Sequence, residues 1–74
     1  MPKIPIVSAI KAIKILSKIG YEADHQTGSH IILRHRETPH KRLTVPNHKE
    51  LARGTLKAIL EEAGLTVQEF RDLL

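Results

Sequence analysis

The spacing of apolar residues changes twice along this chain, and these two changes limit its fold more than any other feature. Residues 9–19 follow the period of an amphipathic helix, residues 21–46 contain β-rich runs separated by turns, and residues 56–63 return to the helical period. The pattern therefore predicts a helix, a set of strands and a second helix within one short chain.

The first helix is predicted to begin after Ser8, a good N-cap, and to stop at Gly20, which suits the left-handed conformation beyond a helix end. A helical wheel places apolar residues on one side, namely Ala9, Ala12, Ile13, Leu16 and Ile19. The opposite side carries a lysine stripe, Lys11, Lys14 and Lys18, which suits either a solvated surface or contact with phosphates. Ile15 falls near the lysines, so we expect it to be exposed, as ordinary surface or as a partner contact.

Two strands are predicted next, joined by the turn TGS into a hairpin. Alternating residues mark the first strand, with Tyr21, Ala23 and His25 on one face and Glu22, Asp24 and Gln26 on the other. The second strand, HIILRH, is predicted to place His30, Arg34 and Arg36 on one face and Ile31, Leu33 and His35 on the other. A third strand, RLTV, follows the loop ETPHK and ends at Pro46, which has no N–H for a strand ladder.

The second helix is predicted to start between Arg53 and Thr55 and to end at Gly64, and the capping-box residues Thr66 and Glu69 begin a last short helix. The predicted fold class is α+β, in the order α-β-β-β-α, with a three-stranded antiparallel sheet and a single domain over residues 1–74. Both helices cover one sheet face and leave the other free. Double-stranded-RNA-binding (dsRBD) domains have this order of elements.

Composition narrows the class of protein. The chain has no cysteine and only two aromatic residues, Tyr21 and Phe70, so aliphatic packing must stabilise it. Lysines interrupt the apolar N-terminal stretch, which argues against a signal peptide, and no apolar run approaches the roughly 20 residues that span a bilayer. We therefore expect a soluble, cytoplasmic protein without a membrane segment.

The positive charge lies mainly in the middle of the chain. Residues 34–57 carry seven Lys and Arg against two Glu, whereas residues 58–74 carry one Arg against four acidic residues. This middle segment is the predicted phosphate-facing part. The five-residue step of His25, His30, His35 and His40 turns successive side chains to opposite strand faces, so we expect neither a metal site nor a cofactor.

His30 is the candidate for chemistry. RNA supplies its own nucleophile, the ribose 2′-hydroxyl, so its cleavage needs proton transfer and cations but in principle no metal. Histidine, with an unperturbed pKa of about 6.5, can take or give that proton near neutral pH. Spacing alone favours the simpler interpretation, a surface histidine that merely ends a turn.

Three stretches together resemble the HicA (YcfA-type) family of toxin ribonucleases from type II toxin-antitoxin systems. They are GYEADHQTGSHIILRH, LTVPNH and RGTLKAILEEAGLTVQEF, and the likeness runs from about Ser8 to Phe70. The resemblance implies a dsRBD-like fold, translation-independent mRNA cleavage, and neutralisation by a HicB-type antitoxin that covers the active face. It implies a monomer when free and a hetero-oligomer with the antitoxin.

The resemblance also implies roles for individual residues. His30 corresponds to the catalytic histidine of the GSH motif, and Gly28 and Ser29 would position it. His48 stands at the histidine of the VPxH element. Two departures affect the RNA-contacting loops: Arg53 replaces a frequent proline, and TPHK replaces a frequent Asp-Gly turn.

Phosphate contacts are expected from the basic loops and from the start of the second helix, where free N–H groups attract anions. The candidates are Arg34, Arg36, Lys41, Arg42, His48, Lys49, Gly54, Thr55 and Lys57, with Arg53 nearby. The second proton-transfer group is open between His35, His48 and water. Two other functions are open: a noncatalytic RNA-binding module, and a partner-binding protein that uses Ile15 and the acidic tail.

Overall fold

The computed structural model describes residues 3–74, and its elements follow the predicted order. They are α1 (Ala9–Ser17), β1 (Tyr21–Thr27), β2 (His30–His35), β3 (Arg42–Pro46), α2 (Arg53–Ala63) and α3 (Val67–Asp72). The strands form one antiparallel sheet in the order β1-β2-β3. The α+β fold class, with an open three-stranded sheet and a short C-terminal helix, is confirmed.

Helix α1 begins where predicted and turns its predicted apolar side to the core, but the buried arc also includes Ile15. The Ser8 hydroxyl accepts a hydrogen bond from the Lys11 N–H at 3.0 Å, as an N-cap does. Ile15, expected on the surface, is only 1% exposed, whereas Ile10 is 62% exposed. The buried arc is centred on Ala12, and Ile15 lies about 60° from it on the wheel. A partner contact through Ile15 is therefore wrong.

The β1–β2 hairpin is confirmed, with a bulge that the sequence did not predict. Gly28 has φ 57° in the two-residue turn, and Thr27 pairs with His30. The register shifts between Ala23 and His25, so that His25 lies opposite Ile32. The bulge moves His25 to the sheet face opposite that of Tyr21, where simple alternation had not placed it.

The core lies between the two helices and one face of the sheet. Leu33, Leu43 and Val45 from the strands are almost fully buried, together with helical residues that include Leu16, Leu56, Leu60 and Phe70. Leu33 therefore marks the face of β2 that points to the helices. The opposite sheet face, which we call the open face, carries side chains that none of the helices in residues 3–74 covers.

Helix α2 begins at Arg53, inside the predicted range, and ends at Gly64, which has φ 78°. The Thr66 hydroxyl and the Glu69 carboxylate form the predicted capping box of α3. Within residues 3–74, none of the helices combines the length and the apolar character that a membrane crossing requires.

Candidate functional site

His30 is exposed and stands at the first position of β2, directly after the Gly28–Ser29 turn. It pairs with Thr27 on one side and with Pro46 on the other. Because Leu33 points to the core, the strand alternation turns His30 to the open face. The predicted placement of His30 on the strand face opposite that of Leu33 is confirmed.

A groove of about 530 Å³ brings His30 next to helix α2. The sheet contributes His30, Thr44 and Pro46, and the helix contributes Gly54, Thr55, Ala58, Ile59 and Glu62. We call this the edge groove, because it lies between the β3 edge and α2. The imidazole and the helix start, which sequence reasoning had proposed as separate features, line the same groove.

The start of α2 offers backbone donors to this groove. The N-cap residue, Ala52, provides no side-chain hydrogen bond, and the first turn holds no acidic residue. The first intrahelical bond runs from the Leu56 N–H to the Ala52 carbonyl at 2.9 Å, so the N–H groups of Arg53, Gly54 and Thr55 precede it. These donors and the partial positive charge of the helix end favour an anion.

Arg34 and Arg36 lie away from His30. Arg34 is four residues further along β2, about 13 Å at the usual strand rise. Arg36 follows the end of β2, where its Nε lies 3.7 Å from Glu22 Oε1. The structure therefore does not place the His30 ring directly beside either guanidinium.

Arg34 and Arg42 are directly opposite each other across β2 and β3, and both are exposed on the open face. Near them, His25 Nδ1 lies 2.8 Å from Asp24 Oδ2. This hydrogen bond holds the pKa of the Asp24 carboxyl below its usual value, and the charges of Arg42 and Arg34 act in the same direction.

The remaining basic candidates lie outside the edge groove. The Lys41 ammonium donates to the Glu62 carbonyl near the end of α2. His48 and Lys49 line a different depression, of about 430 Å³, with Ser8, Ile10 and Asn47. Lys57 is exposed on α2 but does not line the groove.

His35, a candidate for the second proton transfer, has a structural position instead. Its Nε2 lies 2.8 Å from the Ile19 carbonyl, and its Nδ1 accepts from the Glu37 N–H at 3.0 Å. The ring also meets Tyr21 edge-on, with centroids 4.8 Å apart. Both ring nitrogens are therefore engaged by backbone groups, which leaves no free nitrogen to serve a substrate.

Sequence reasoning missed the Glu62 side of the groove. Gly54, Ala58 and Glu62 are spaced by four residues, so helical geometry alone puts them on one side of α2. Burial raises the pKa of Tyr21, and the negative charge of Glu62 adds to this effect. This carboxylate places a negative charge at the end of the groove opposite the α2 start.

Within residues 3–74, no group of three or more His, Asp and Glu side chains is arranged to hold a metal ion. The family model described as HicA toxin of bacterial toxin-antitoxin matches residues 10–65. A search of curated protein sequences found no significant match. The matched range contains both walls of the edge groove, from His30 to Glu62.

Proposed function

This chain belongs to the HicA family of bacterial toxin-antitoxin toxins, and from that premise we propose that it is an endoribonuclease that cleaves mRNA in the edge groove. One observation carries the proposal: the exposed His30 shares this groove with the Gly54 and Thr55 start of α2. An acid/base group and an anion site stand together where a phosphodiester can meet both.

In the proposed mechanism, the scissile phosphate binds at the α2 start and its negative oxygens accept from the backbone N–H groups. The ribose 2′-oxygen attacks phosphorus and loses its proton, and the bond from phosphorus to the 5′-oxygen breaks. The departing oxygen gains a proton, and the other product ends in a 2′,3′-cyclic phosphate. His30 serves as general base for the first proton or as general acid for the second.

Water is the partner in the other proton transfer. His35 is bound at both ring nitrogens, and His48 lines a different depression, so neither side chain faces the groove. Gly28 and Ser29 have a positioning role, because the tight turn sets where β2 begins and hence where the His30 ring stands. The reaction in this form requires no metal.

The proposed antitoxin partner binds over the same groove. We propose that a HicB-type antitoxin covers the open face and the edge groove, which keeps RNA away from His30. The free toxin is then a monomer, and the complex is a hetero-oligomer. An mRNA substrate places the protein in the cytoplasm.

Cleavage of a labelled RNA by purified His30→Ala and His48→Ala variants tests the proposal. We expect His30→Ala to lower kcat by about 10² to 10⁴. His48→Ala should raise KM at most and leave kcat near that of the wild type. Circular dichroism of both variants controls for folding.

Retained cleavage by a folded His30→Ala variant would refute the assignment. If neither the wild type nor the variant cuts RNA but both bind it, the protein is a noncatalytic RNA-binding module. A chelator added to the wild-type reaction tests the metal-free scheme, which predicts an unchanged rate.

A further inference from the structure

Two arginines face each other on the open face without an acidic partner between them. Arg34 and Arg42 occupy directly opposed positions of β2 and β3, and both are exposed. Like charges directly opposite in a sheet are destabilising. An anion bound between the two guanidinium groups would offset that repulsion.

The nearby carboxylates contact other side chains directly, although the charges of Arg42 and Arg34 still act on the Asp24 carboxyl. Glu22 lies opposite Arg34 in the sheet, but its Oε1 approaches the Nε of Arg36 at 3.7 Å. Asp24 is hydrogen-bonded to His25 at 2.8 Å. In the part of the chain that the structure describes, neither Arg34 nor Arg42 forms a salt bridge within 4.0 Å.

We propose that Arg34 and Arg42 together bind a phosphate of the RNA about two nucleotides from the scissile one, so that the strand crosses the open face. This inference rests on the proposed function, because it extends the RNA path from His30. Two arginine forks match the oxygens of one phosphate. The pair is about 13 Å from His30 along β2, which is too far for both to engage the same phosphate.

The part of the open face between His30 and the arginine pair can accommodate a sugar and a base. The middle row of the open face consists of His25, Ile32 and Thr44, which pair across the three strands. None of these three residues is a carboxylate, although the Asp24 carboxylate lies 2.8 Å from His25 Nδ1 at the β1 end of the row, and Ile32 is half-buried. A nucleotide can therefore cross the row over Ile32 and Thr44, on the side away from the Asp24 carboxylate.

The edge groove itself offers no comparable route. Beyond Thr55 its lining continues with Ala58 and Ile59 and ends at Glu62, and no Lys or Arg lines it. A phosphate moving along α2 would approach the Glu62 carboxylate. The charges therefore direct the strand from His30 over the open face towards the arginine pair.

The first test measures RNA affinity in the His30→Ala background, where the RNA stays intact. Adding Arg34→Ala and Arg42→Ala should weaken binding by about tenfold to a hundredfold. The slope of log affinity against log salt should fall by about 0.7, because one phosphate is no longer neutralised by the protein. The matched control adds Lys11→Ala and Lys14→Ala, which remove the same charge from exposed positions on α1.

A smaller loss of affinity in the lysine control, with its salt slope unchanged, supports the open-face path. An equal loss in the two variants, or an unchanged slope in the arginine variant, would overturn it. Circular dichroism confirms that all the compared variants are folded.

The second test locates the phosphate. A set of RNAs, each with one phosphate replaced by a neutral methylphosphonate, is bound to the His30→Ala protein with and without the two arginine substitutions. One position near the cut should weaken binding only when both arginines are present. If every position behaves alike in the two proteins, the arginines do not hold a defined phosphate and the proposal is wrong.

The two tests also separate this inference from the proposed function. RNA that binds the wild type with this arginine dependence but is never cut would leave the path intact and refute catalysis. RNA that is cut with a His30 requirement but without arginine dependence would refute only the path.

Discussion

Replacing Gly20 with alanine should destabilise this protein far more than a change of one methyl group suggests. Gly20 has φ 107°, which favours glycine, and a Cβ built there would lie 2.5 Å from His35 Nε2 and 2.7 Å from Cε1. That ring cannot move freely, because its nitrogens bond the Ile19 carbonyl and the Glu37 N–H. The substitution therefore adds backbone strain and also displaces a hydrogen-bonded ring.

The cost has two parts. A non-glycine residue at such a φ costs about 1–3 kcal/mol. Moving the His35 ring breaks two hydrogen bonds, each contributing about 1 kcal/mol. The sum is about 3–5 kcal/mol, against a total stability of about 4–11 kcal/mol for a domain of this size.

Gly64→Ala is the matched control. Gly64 also has a positive φ, 78°, but a Cβ there meets nothing within 4 Å. Its substitution should cost only the strain, about 1–2 kcal/mol. Urea unfolding followed by circular dichroism measures both variants, and the Gly20 variant should be less stable by about 2 kcal/mol or more.

Removing the His35 ring gives a second test of the clash with a Cβ at position 20. In a His35→Ala background, Gly20→Ala should cost only the backbone part, which gives a coupling of about 2 kcal/mol in a double-mutant cycle. Equal stability of the Gly20 and Gly64 variants, or additive effects of Gly20→Ala and His35→Ala, would refute the reasoning.

Three other substitutions or titrations follow from the same structure. Gly54→Ala should raise the free energy of unfolding by about 0.5–1 kcal/mol, because a Cβ there meets open space in a helix. It should also slow RNA cleavage by crowding the proposed phosphate, and an unchanged rate would move that phosphate away from Gly54. Ile15→Ala should cost about 2–5 kcal/mol in urea unfolding, while Ile10→Ala, at a 62% exposed position, should stay within about 0.5 kcal/mol. Burial and the charge of Glu62 raise the pKa of Tyr21 above its ordinary value of 10.0. The contribution of neutral Tyr21 to the stability of the fold is complete when the pH is below the ordinary tyrosine pKa. It is lost as the pH rises through the higher pKa of Tyr21 in the folded state. Absorbance titration of this single tyrosine, with Tyr21→Phe as the control in alkaline unfolding, tests the direction, and a midpoint at or below that of free tyrosine would contradict it.

Local sequence signals were sufficient to predict the helix caps and turns, where a particular residue type fits a particular backbone position. Ser8 and Thr66 accept the first helical N–H groups through their own hydroxyls, and Gly28 and Gly64 adopt the positive φ that their positions require. Each of these effects depends on neighbours within a few residues of the chain. The order of elements could therefore be predicted without knowing how they pack.

The errors arose where packing overrides the local pattern. The wheel placed Ile15 near the lysines, but the way α1 packs on the sheet extends the buried arc from Ala12 to Ile15. Alternation along β1 missed the bulge that carries His25 to the open face. Helix rotation and strand register depend on contacts between distant segments, which a periodic pattern does not contain.

The sequence by itself determined the α-β-β-β-α order, the strand face that His30 shares with Arg34, and a helix start between Arg53 and Thr55, because periodicity, caps and turns act over a few residues. Only the tertiary structure decided which candidates meet. It joined His30 to Gly54 and Thr55, separated both from Arg34, and engaged His35 and Lys41 in bonds to distant carbonyls. Such neighbours are set by the docking of α2 against the β3 edge, and burial of apolar side chains from both elements drives that docking.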